Sequence, residues 1–168
     1  GDKVRKAGKS IGLRINPECS TQEGHEIYDP CAKGSRFGVT LKHFRPELLE
    51  GVSGLHFHTL CEQNADALAA TLDVVEEKFG QWLSQFEWIN FGGGHHITKE
   101  GYNVGLLEDC IKRMQEKYNL QVYLEPGEAI ALNAGFLVTT VLDTLQNDIN
   151  LAIVDTSACC HMPDVLEM

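Results

Sequence analysis

Apolar residues recur along the chain at two spacings, one of two residues and one of three to four. Short alternating or continuous apolar runs predict β-strands at 10–16, 52–58, 88–91, 121–124 and 150–154. Two longer stretches have helical spacing. The stretch 65–79 follows Asn64 and the stretch 104–118 follows Asn103, and asparagine is a favoured residue at a helix N-cap.

The segments between these elements predict connections. Residues 17–38 are polar and rich in turn formers, which indicates a long loop, and Pro46 begins a short helix that ends before Gly51. The stretch 129–145 is apolar and favours β-structure. Strands and helices alternate overall, which predicts an α/β fold with parallel strands joined by right-handed crossovers.

Two architectures fit this alternation, an open doubly wound sheet and part of a TIM-type (β/α)8 barrel. A complete barrel needs about 250 residues, so a chain of 168 residues can supply only part of one. Arg14, His58, the glycines 92–94 and Glu125 all fall within a predicted strand or at its C-terminal end. Barrel active sites form where those ends converge, so we predict a partial barrel.

The chain is acidic, with 24 Asp and Glu residues against 14 Lys and Arg residues and a formal net charge of −10. This balance argues against a nucleic-acid partner, because neutralising phosphates requires a basic surface. A negative field favours a small cationic ligand such as a polyamine, although the same charge also simply keeps a protein soluble.

The remaining composition predicts a cytoplasmic protein that neither crosses nor binds a membrane. No apolar run approaches the roughly 20 residues of a membrane span, and no apolar stretch follows the charged N-terminus as in a signal peptide. The six cysteines form no C-x-x-C pair, and two of them are adjacent. Such a pattern indicates reduced thiols.

Two features at strand ends could carry chemistry. Gly92, Gly93 and Gly94 follow a predicted strand and can bring backbone amides close to an anion such as a phosphate. The alternative is a tight structural turn between strand and helix. Glu125 precedes Pro126, which holds it extended at a strand end, where it serves either a site or merely the surface.

The histidines allow more than one interpretation. His56 and His58 are two residues apart and so point to one face of a strand, where an imidazole could stack on an aromatic ring. With the pair at 95–96 and His161 they could instead form a metal site, but no helical H-x-x-x-H occurs, and we predict no metal. Cys160 beside His161 would point away from it on an extended segment.

Four motifs, in order along the chain, resemble one enzyme family. They are GLHFHTLCEQ (54–63), WINFGGGHHIT (88–98), YLEPGEA (123–129) and CHMPDVLEM (160–168). Together they resemble the fold type III decarboxylases that depend on pyridoxal 5'-phosphate (PLP) and share the alanine racemase-like barrel. Within that family they are most similar to the carboxynorspermidine decarboxylase branch.

The resemblance implies a role for each of these residues. His58 would stack on the pyridine ring, and Glu125 would pair with its nitrogen, so these two are the implied catalytic residues. The glycine amides would hold the phosphate. The implied cofactor-binding residues are Arg14, Arg36, His58, Gly92, Gly93, Gly94, Glu125 and Gly127, and the implied substrate-binding residues are Cys160, His161 and Asp164.

The sequence departs from the ornithine-type members of this family at three points. Leu60 and Cys61 stand where those enzymes have Gly-Ser after the stacking histidine, and Glu128 stands where they have an arginine. The family lysine that binds PLP lies on a strand upstream of this sequence. We therefore expect a fragment that is inactive alone, with 1–145 a partial barrel and 146–168 the start of a C-terminal β-domain.

The resemblance implies an activity for the complete enzyme. We expect a homodimeric carboxy-lyase of polyamine biosynthesis that decarboxylates carboxynorspermidine or carboxyspermidine to norspermidine or spermidine. The alternatives are another fold type III enzyme acting on a diamino acid, of the diaminopimelate or ornithine type, and a non-catalytic or metal-binding barrel fragment.

Overall fold

A parallel four-stranded sheet organises the larger part of the chain. The computed structural model describes residues 2–22 and 28–166. The strands are β1 (Gly12–Arg14), β2 (Gly54–His56), β3 (Trp88–Asn90) and β4 (Gln121–Tyr123), hydrogen-bonded in the order β1-β2-β3-β4 and all parallel. The predicted α/β class and the parallel neighbours are confirmed. The sheet is open, as expected for part of a barrel.

Helices connect the strands on one side of the sheet. After the short α1 (Asp2–Lys6), the long helices are α2 (Ala65–Leu83) between β2 and β3 and α3 (Val104–Tyr118) between β3 and β4. Both predicted N-caps are confirmed. Asn64 Oδ1 accepts a hydrogen bond from the backbone N–H of Ala65 at 2.7 Å, and Asn103 Oδ1 accepts one from the N–H of Leu106 at 3.0 Å.

The connection from β1 to β2 contains no α-helix among the described residues. It includes two 3-10 helices, Leu41–His43 and Pro46–Leu48. The predicted short helix at Pro46 is therefore present as a single 3-10 turn. Gly51, beyond its end, has a φ of +75°, a backbone conformation that glycine adopts without strain.

One face of the sheet, the helix face, consists of Leu13, Leu55, Ile89 and Val122, which are register partners across the four strands. The last three are buried and Leu13 is partly buried. They belong to one apolar cluster with helix residues such as Leu68, Leu72, Val75 and Phe79 of α2 and Leu107 and Met114 of α3. Burying this cluster is the main driving force for the fold of this unit.

The opposite face is filled near its N-terminal end by Trp88. A Cβ added at Gly12 or Gly54 would lie 2.2 Å or 2.1 Å from atoms of the indole ring. The ring therefore lies across strands β1 and β2, and only glycine leaves room for it. Its edge meets the Tyr123 ring at a centroid distance of 6.1 Å. This end of the face is apolar, and the polar side chains on the same face begin two residues further along the strands.

The C-terminal part differs from its prediction. The short helix α4 (Gly127–Ala131) occupies the start of the predicted β-leaning stretch 129–145, and extended structure begins only at β5 (Val141–Asn147). Glycine and proline beside Glu125 favour a turn there, and the carbonyl of Pro126 accepts a hydrogen bond from the N–H of Ile130. The apolar residues therefore begin in a helical turn rather than in a strand.

The chain divides into two compact units, 1–132 and 133–168. The predicted division at 145/146 would cut through β5, which pairs antiparallel with β6 (Ile149–Val154). The second unit continues with α5 (Ala158–His161) and the 3-10 helix Pro163–Leu166. Cys160 and His161 thus lie on a helical turn, and their prediction as an extended segment is wrong.

Two further observations concern the chain as a whole. No helix among residues 2–22 and 28–166 is long and apolar enough to span a bilayer. All six cysteines have free thiols, and burial raises the pKa of the Cys31 thiol to about 11. These thiols therefore remain protonated at neutral pH where they are buried.

Candidate active site

A row of polar side chains crosses the C-terminal end of the sheet on the face away from the helices. Arg14, His56, Asn90 and Tyr123 are register partners in β1 to β4. Successive residues of a strand point to opposite faces, so all four project from what we call the site face. The loops that leave the strands place the other predicted residues beside this row.

Glu125 lies two residues beyond β4, and both of its carboxylate oxygens have a neighbour. Asn90 Nδ2 donates a hydrogen bond to Oε1 at 2.9 Å, and His56 Nε2 lies 3.5 Å from Oε2. The backbone N–H of Glu125 donates to the carbonyl of Gly92 at 2.8 Å. The side chain is 53% exposed, so its carboxylate is oriented by the protein yet open to a ligand.

His58 contacts the glycine turn. The backbone N–H of Gly93 donates to His58 Nδ1 at 3.2 Å. Burial, with the Arg14 cation second, lowers the pKa of His58 below 6.5. At neutral pH the ring is therefore uncharged and carries its proton on Nε2, since Nδ1 accepts. An uncharged, flat imidazole is the form suited to stacking on an aromatic ring.

His56 is also neutral near pH 7. Burial lowers its pKa, and the nearby Glu125 carboxylate only partly opposes this. A neutral His56 can donate one N–H towards Glu125 without adding a positive charge. The carboxylate thus keeps its negative charge available for a cationic partner.

The glycine turn 92–94 fits between the ends of β2 and β4. Gly92 and Gly94 have φ values of +71° and +80°. A Cβ at Gly94 would lie 2.1 Å from the carbonyl oxygen of Leu60, and one at Gly93 would lie 2.8 Å from that of Glu125. The packing of the backbone therefore requires glycine at this turn, whatever else the turn does.

The three amides of this turn are not equivalent. The N–H of Gly92 donates to Asn90 Oδ1 at 2.8 Å, and that of Gly93 donates to His58. The N–H of Gly94 makes no hydrogen bond with any described residue. Gly94 is thus the amide best able to bind an anion. Gly127 lies close by, with its N–H donating to the Glu125 carbonyl at 2.8 Å.

The two predicted arginines meet at one aromatic ring. The guanidinium carbons of Arg14 and Arg36 lie 5.1 Å and 5.5 Å from the centre of the Phe37 ring. Arg14 Nη2 lies 3.4 Å from the carbonyl oxygen of His58, while its buried Nε has no partner among the described residues. Arg14 therefore borders the site and keeps hydrogen-bonding capacity, whereas Arg36 is exposed.

His95 and His96 directly follow the glycine turn in the sequence. His95 is 1% exposed, and its Nε2 lies 3.3 Å from the Phe91 carbonyl oxygen. His96 Nε2 lies 3.2 Å from Glu128 Oε1. In the part of the chain that the structure describes, no three His, Cys, Asp or Glu side chains group as metal ligands would. The prediction that these histidines bind no metal stays a prediction.

The predicted substrate residues belong to the second unit. Cys160 and His161 are exposed on α5, and His161 Nδ1 accepts a hydrogen bond from the N–H of Ser157 at 3.1 Å. Asp164 lies in the 3-10 helix that follows, and its side chain is outside the described part. Their assignment to the substrate remains a prediction.

Sequence reasoning missed two members of the site. Asn90 was not singled out, and His56 was considered only as a metal ligand or as a companion of His58. A signal existed for both. Each is the last residue of its strand, in the same period-two position as Arg14, so a predicted register would have placed the three in one row.

The chain is similar in sequence to known proteins. The chain is 51% identical over 159 residues to the carboxynorspermidine/carboxyspermidine decarboxylase of Campylobacter jejuni, which covers 95% of the chain and 41% of the relative. It is 39% identical over 169 residues to the carboxyaminopropylagmatine decarboxylase of a Synechocystis strain, which covers 99% of the chain and 43% of the relative.

The chain is also similar in fold to a solved structure. The crystal structure of carboxynorspermidine decarboxylase from Campylobacter jejuni, complexed with norspermidine, superposes with a TM-score of 0.82 at 46% identity, over 99% of this chain and 43% of that one. No protein-family model matches the chain. The chain is thus similar in sequence and fold to carboxynorspermidine/carboxyspermidine decarboxylases, and it spans about two fifths of their length.

Proposed function

We propose that the full-length protein containing this chain is a PLP-dependent decarboxylase that converts carboxynorspermidine or carboxyspermidine to norspermidine or spermidine. The observation that carries the proposal is the arrangement of Glu125, His58 and Gly94 at one end of the sheet. A carboxylate, a neutral imidazole and an unpaired amide there match the nitrogen, the ring and the phosphate of PLP.

The chemistry of these groups fits the cofactor. Arg14 Nε is buried without a partner, and the N–H of Gly94 is unpaired among the described residues, so both can donate to an anion. Glu125 is half-exposed and flanked by neutral groups only. When bound, PLP supplies an electron sink for the electrons released as the bond to the carboxylate breaks.

Each residue would contribute a distinct effect. Glu125 would hold a proton at the pyridine nitrogen by charge pairing, which increases the ability of the ring to accept electrons. His58 would cover one ring face, exclude water and fix the orientation of the ring. The N–H of Gly94 would donate to the phosphate, Gly92, Gly93 and Gly127 would let the backbone approach it closely, and Arg14 and Arg36 would add positive charge beside it.

The substrate class rests on relatives and on charge. The relative most similar by sequence among those described above is a carboxynorspermidine/carboxyspermidine decarboxylase, and the solved relative carries norspermidine. A chain with a net charge of −10 attracts such a polycation. Cys160, His161 and Asp164 would contribute to substrate binding. The covalent lysine would come from outside these 168 residues, and the protein would be a cytoplasmic homodimer.

A second substrate is favoured by one specific observation. A relative at 39% identity is a carboxyaminopropylagmatine decarboxylase, so the guanidino analogue of the substrate is the first alternative. Diaminopimelate is the next, because diaminopimelate decarboxylases match at 27% identity.

The test is a substrate comparison on the full-length protein. Purified protein should be yellow from bound PLP and should release CO2 and the amine from carboxynorspermidine or carboxyspermidine. The value of kcat/KM should exceed those for carboxyaminopropylagmatine and diaminopimelate by at least tenfold. Protein stripped of PLP is the control, and activity should return with PLP alone. A colourless protein whose activity follows an added metal ion would overturn the proposal.

A further inference from the structure

Asn90 connects the two ends of the proposed cofactor site through its own side chain. Its Oδ1 accepts a hydrogen bond from the N–H of Gly92 at 2.8 Å, and its Nδ2 donates to Glu125 Oε1 at 2.9 Å. The amide therefore ties the glycine turn to the carboxylate beyond the next strand. Among the described residues, no other side chain makes hydrogen bonds with both groups.

We propose that Asn90 is a positioning residue that fixes the Glu125 carboxylate for the pyridine nitrogen, an inference that rests on the proposed function. Glu125 is a long side chain with 53% of its surface exposed, and such a side chain samples several rotamers unless it is held. The hydrogen bond from Asn90 restricts Oε1. The other oxygen, with His56 Nε2 at 3.5 Å, stays less tightly bound.

The residue type is specific to this double role. Asn90 accepts from a backbone N–H with its carbonyl oxygen and donates to a carboxylate with its NH2 group, and a carboxamide of this length does both at the distances observed. An ionised aspartate could accept from Gly92 but could not donate to Glu125. Leucine could do neither. The neutral amide also adds no charge, so the carboxylate keeps its full charge for the pyridinium.

The position of Asn90 in the fold makes the tie rigid. It is the last residue of β3, with the buried Ile89 before it and the buried Phe91 after it. Its register partners are His56 on one side and Tyr123 on the other. A group placed on a strand and held by a backbone hydrogen bond is more precise than one on a loop.

A serine at position 90 should keep one of the two hydrogen bonds and remove the other. In Asn90→Ser the hydroxyl can still accept from the N–H of Gly92, as serine does in such turns, but it is too short to reach Glu125. In Asn90→Ala both contacts are lost. Asn16→Ser is the matched control, because Asn16 Oδ1 accepts a hydrogen bond from the N–H of Glu18 at 2.8 Å in the same kind of turn, and its side chain makes no hydrogen bond with a carboxylate among the described residues.

The experiment uses the full-length enzyme reconstituted with 15N-labelled PLP. The 15N chemical shift of the pyridine nitrogen reports its protonation, and kcat and KM are measured in parallel. We expect Asn90→Ser to shift the nitrogen signal towards the unprotonated value and to lower kcat about tenfold, with KM changed less than twofold, because a hydrogen bond to a charged group is lost. Asn16→Ser should leave both the shift and kcat unchanged.

A double variant tests whether the effect passes through Glu125. In the Glu125→Gln background, Asn90→Ser should cause no further change in the nitrogen shift and less than a twofold change in kcat. Equal effects of Asn90→Ser in the two backgrounds, or a wild-type nitrogen signal in Asn90→Ser, would overturn the positioning role. Failure of the wild-type protein to bind PLP would instead overturn the proposed function, so the two failures are distinguishable.

Discussion

Adjacent residues of each strand lie on opposite faces of the four-stranded sheet, and the two faces have different polarity. Leu55 and Ile89, on the helix face, are 0% exposed and belong to the apolar core cluster. His56 and Asn90, the next residues, are partly exposed and contact the Glu125 carboxylate. The same three-residue strands therefore build the core with one face and the candidate site with the other.

This difference separates stability from chemistry. The helix face gains its free energy from burial of apolar surface, which depends on volume and shape. The site face holds its polar groups by directed hydrogen bonds, such as those of Asn90 with Glu125 and of Arg14 with the His58 carbonyl. A change on one face should therefore alter mainly one property of the full-length protein, and the predictions below test that separation.

The largest effect is expected on the helix face. Leu55→Ala removes a fully buried side chain and leaves a cavity, so the free energy of unfolding should fall by roughly 2–5 kcal/mol. Leu48→Ala is the matched control, because Leu48 is 73% exposed and its loss should cost less than about 0.5 kcal/mol. Urea denaturation of the full-length protein measures both. Equal losses would contradict the assignment of the two environments.

The next effect is expected at Glu125. Glu125→Gln keeps the shape of the side chain but removes the charge that favours a protonated pyridine nitrogen. The rate of decarboxylation should fall about 100-fold or more, which corresponds to about 2.7 kcal/mol. PLP occupancy, measured by absorbance, and the melting temperature should change little. Wild-type turnover with PLP fully bound would remove Glu125 from the mechanism.

A smaller effect is expected at His58. His58→Ala removes the proposed stacking surface and the acceptor of the Gly93 N–H, so the dissociation constant of PLP should rise about tenfold, or about 1.4 kcal/mol. Titration of the stripped protein with PLP measures this constant. The exposed His43, changed to alanine, is the control and should leave it unchanged. An unchanged constant in His58→Ala would show that the ring lies elsewhere.

The smallest effect is expected in the pH dependence of stability, at the buried His95. Burial lowers the pKa of His95, and hydrogen bonds from the ring to backbone carbonyls only partly oppose this. The unfolded chain therefore binds a proton more readily than the folded one, so stability should be lost as the pH falls below about 6.5. The loss from this residue should stay below about 1.4 kcal/mol per pH unit. His95→Gln should reduce the slope, and His43→Gln should not.

Local signals in the sequence predicted much of the fold. Asn64 and Asn103 were identified as caps because capping depends on neighbouring residues only. The four parallel strands followed from short apolar runs between amphipathic helices. The helix α4 was missed because its apolar residues also fit a strand, and five residues give too little periodicity to decide.

The candidate site was predicted in part. His58, Gly94 and Glu125 were predicted because each lies in a recognisable motif at or just beyond the C-terminal end of a predicted strand. Asn90 was missed because its importance depends on a hydrogen bond to Glu125, 35 positions away in the sequence. Such a contact can be recognised only when the strand register is known. The division between the two units was displaced for the same reason, since it depends on the pairing of β5 with β6.

The most direct test of the central claim is the electron density of PLP in the full-length protein. We predict that the pyridine nitrogen lies within about 3 Å of a Glu125 carboxylate oxygen and that the ring stacks on the imidazole of His58. We also predict that the phosphate accepts a hydrogen bond from the N–H of Gly94. A cofactor bound with its nitrogen away from Glu125, or at the helix face, would contradict the account.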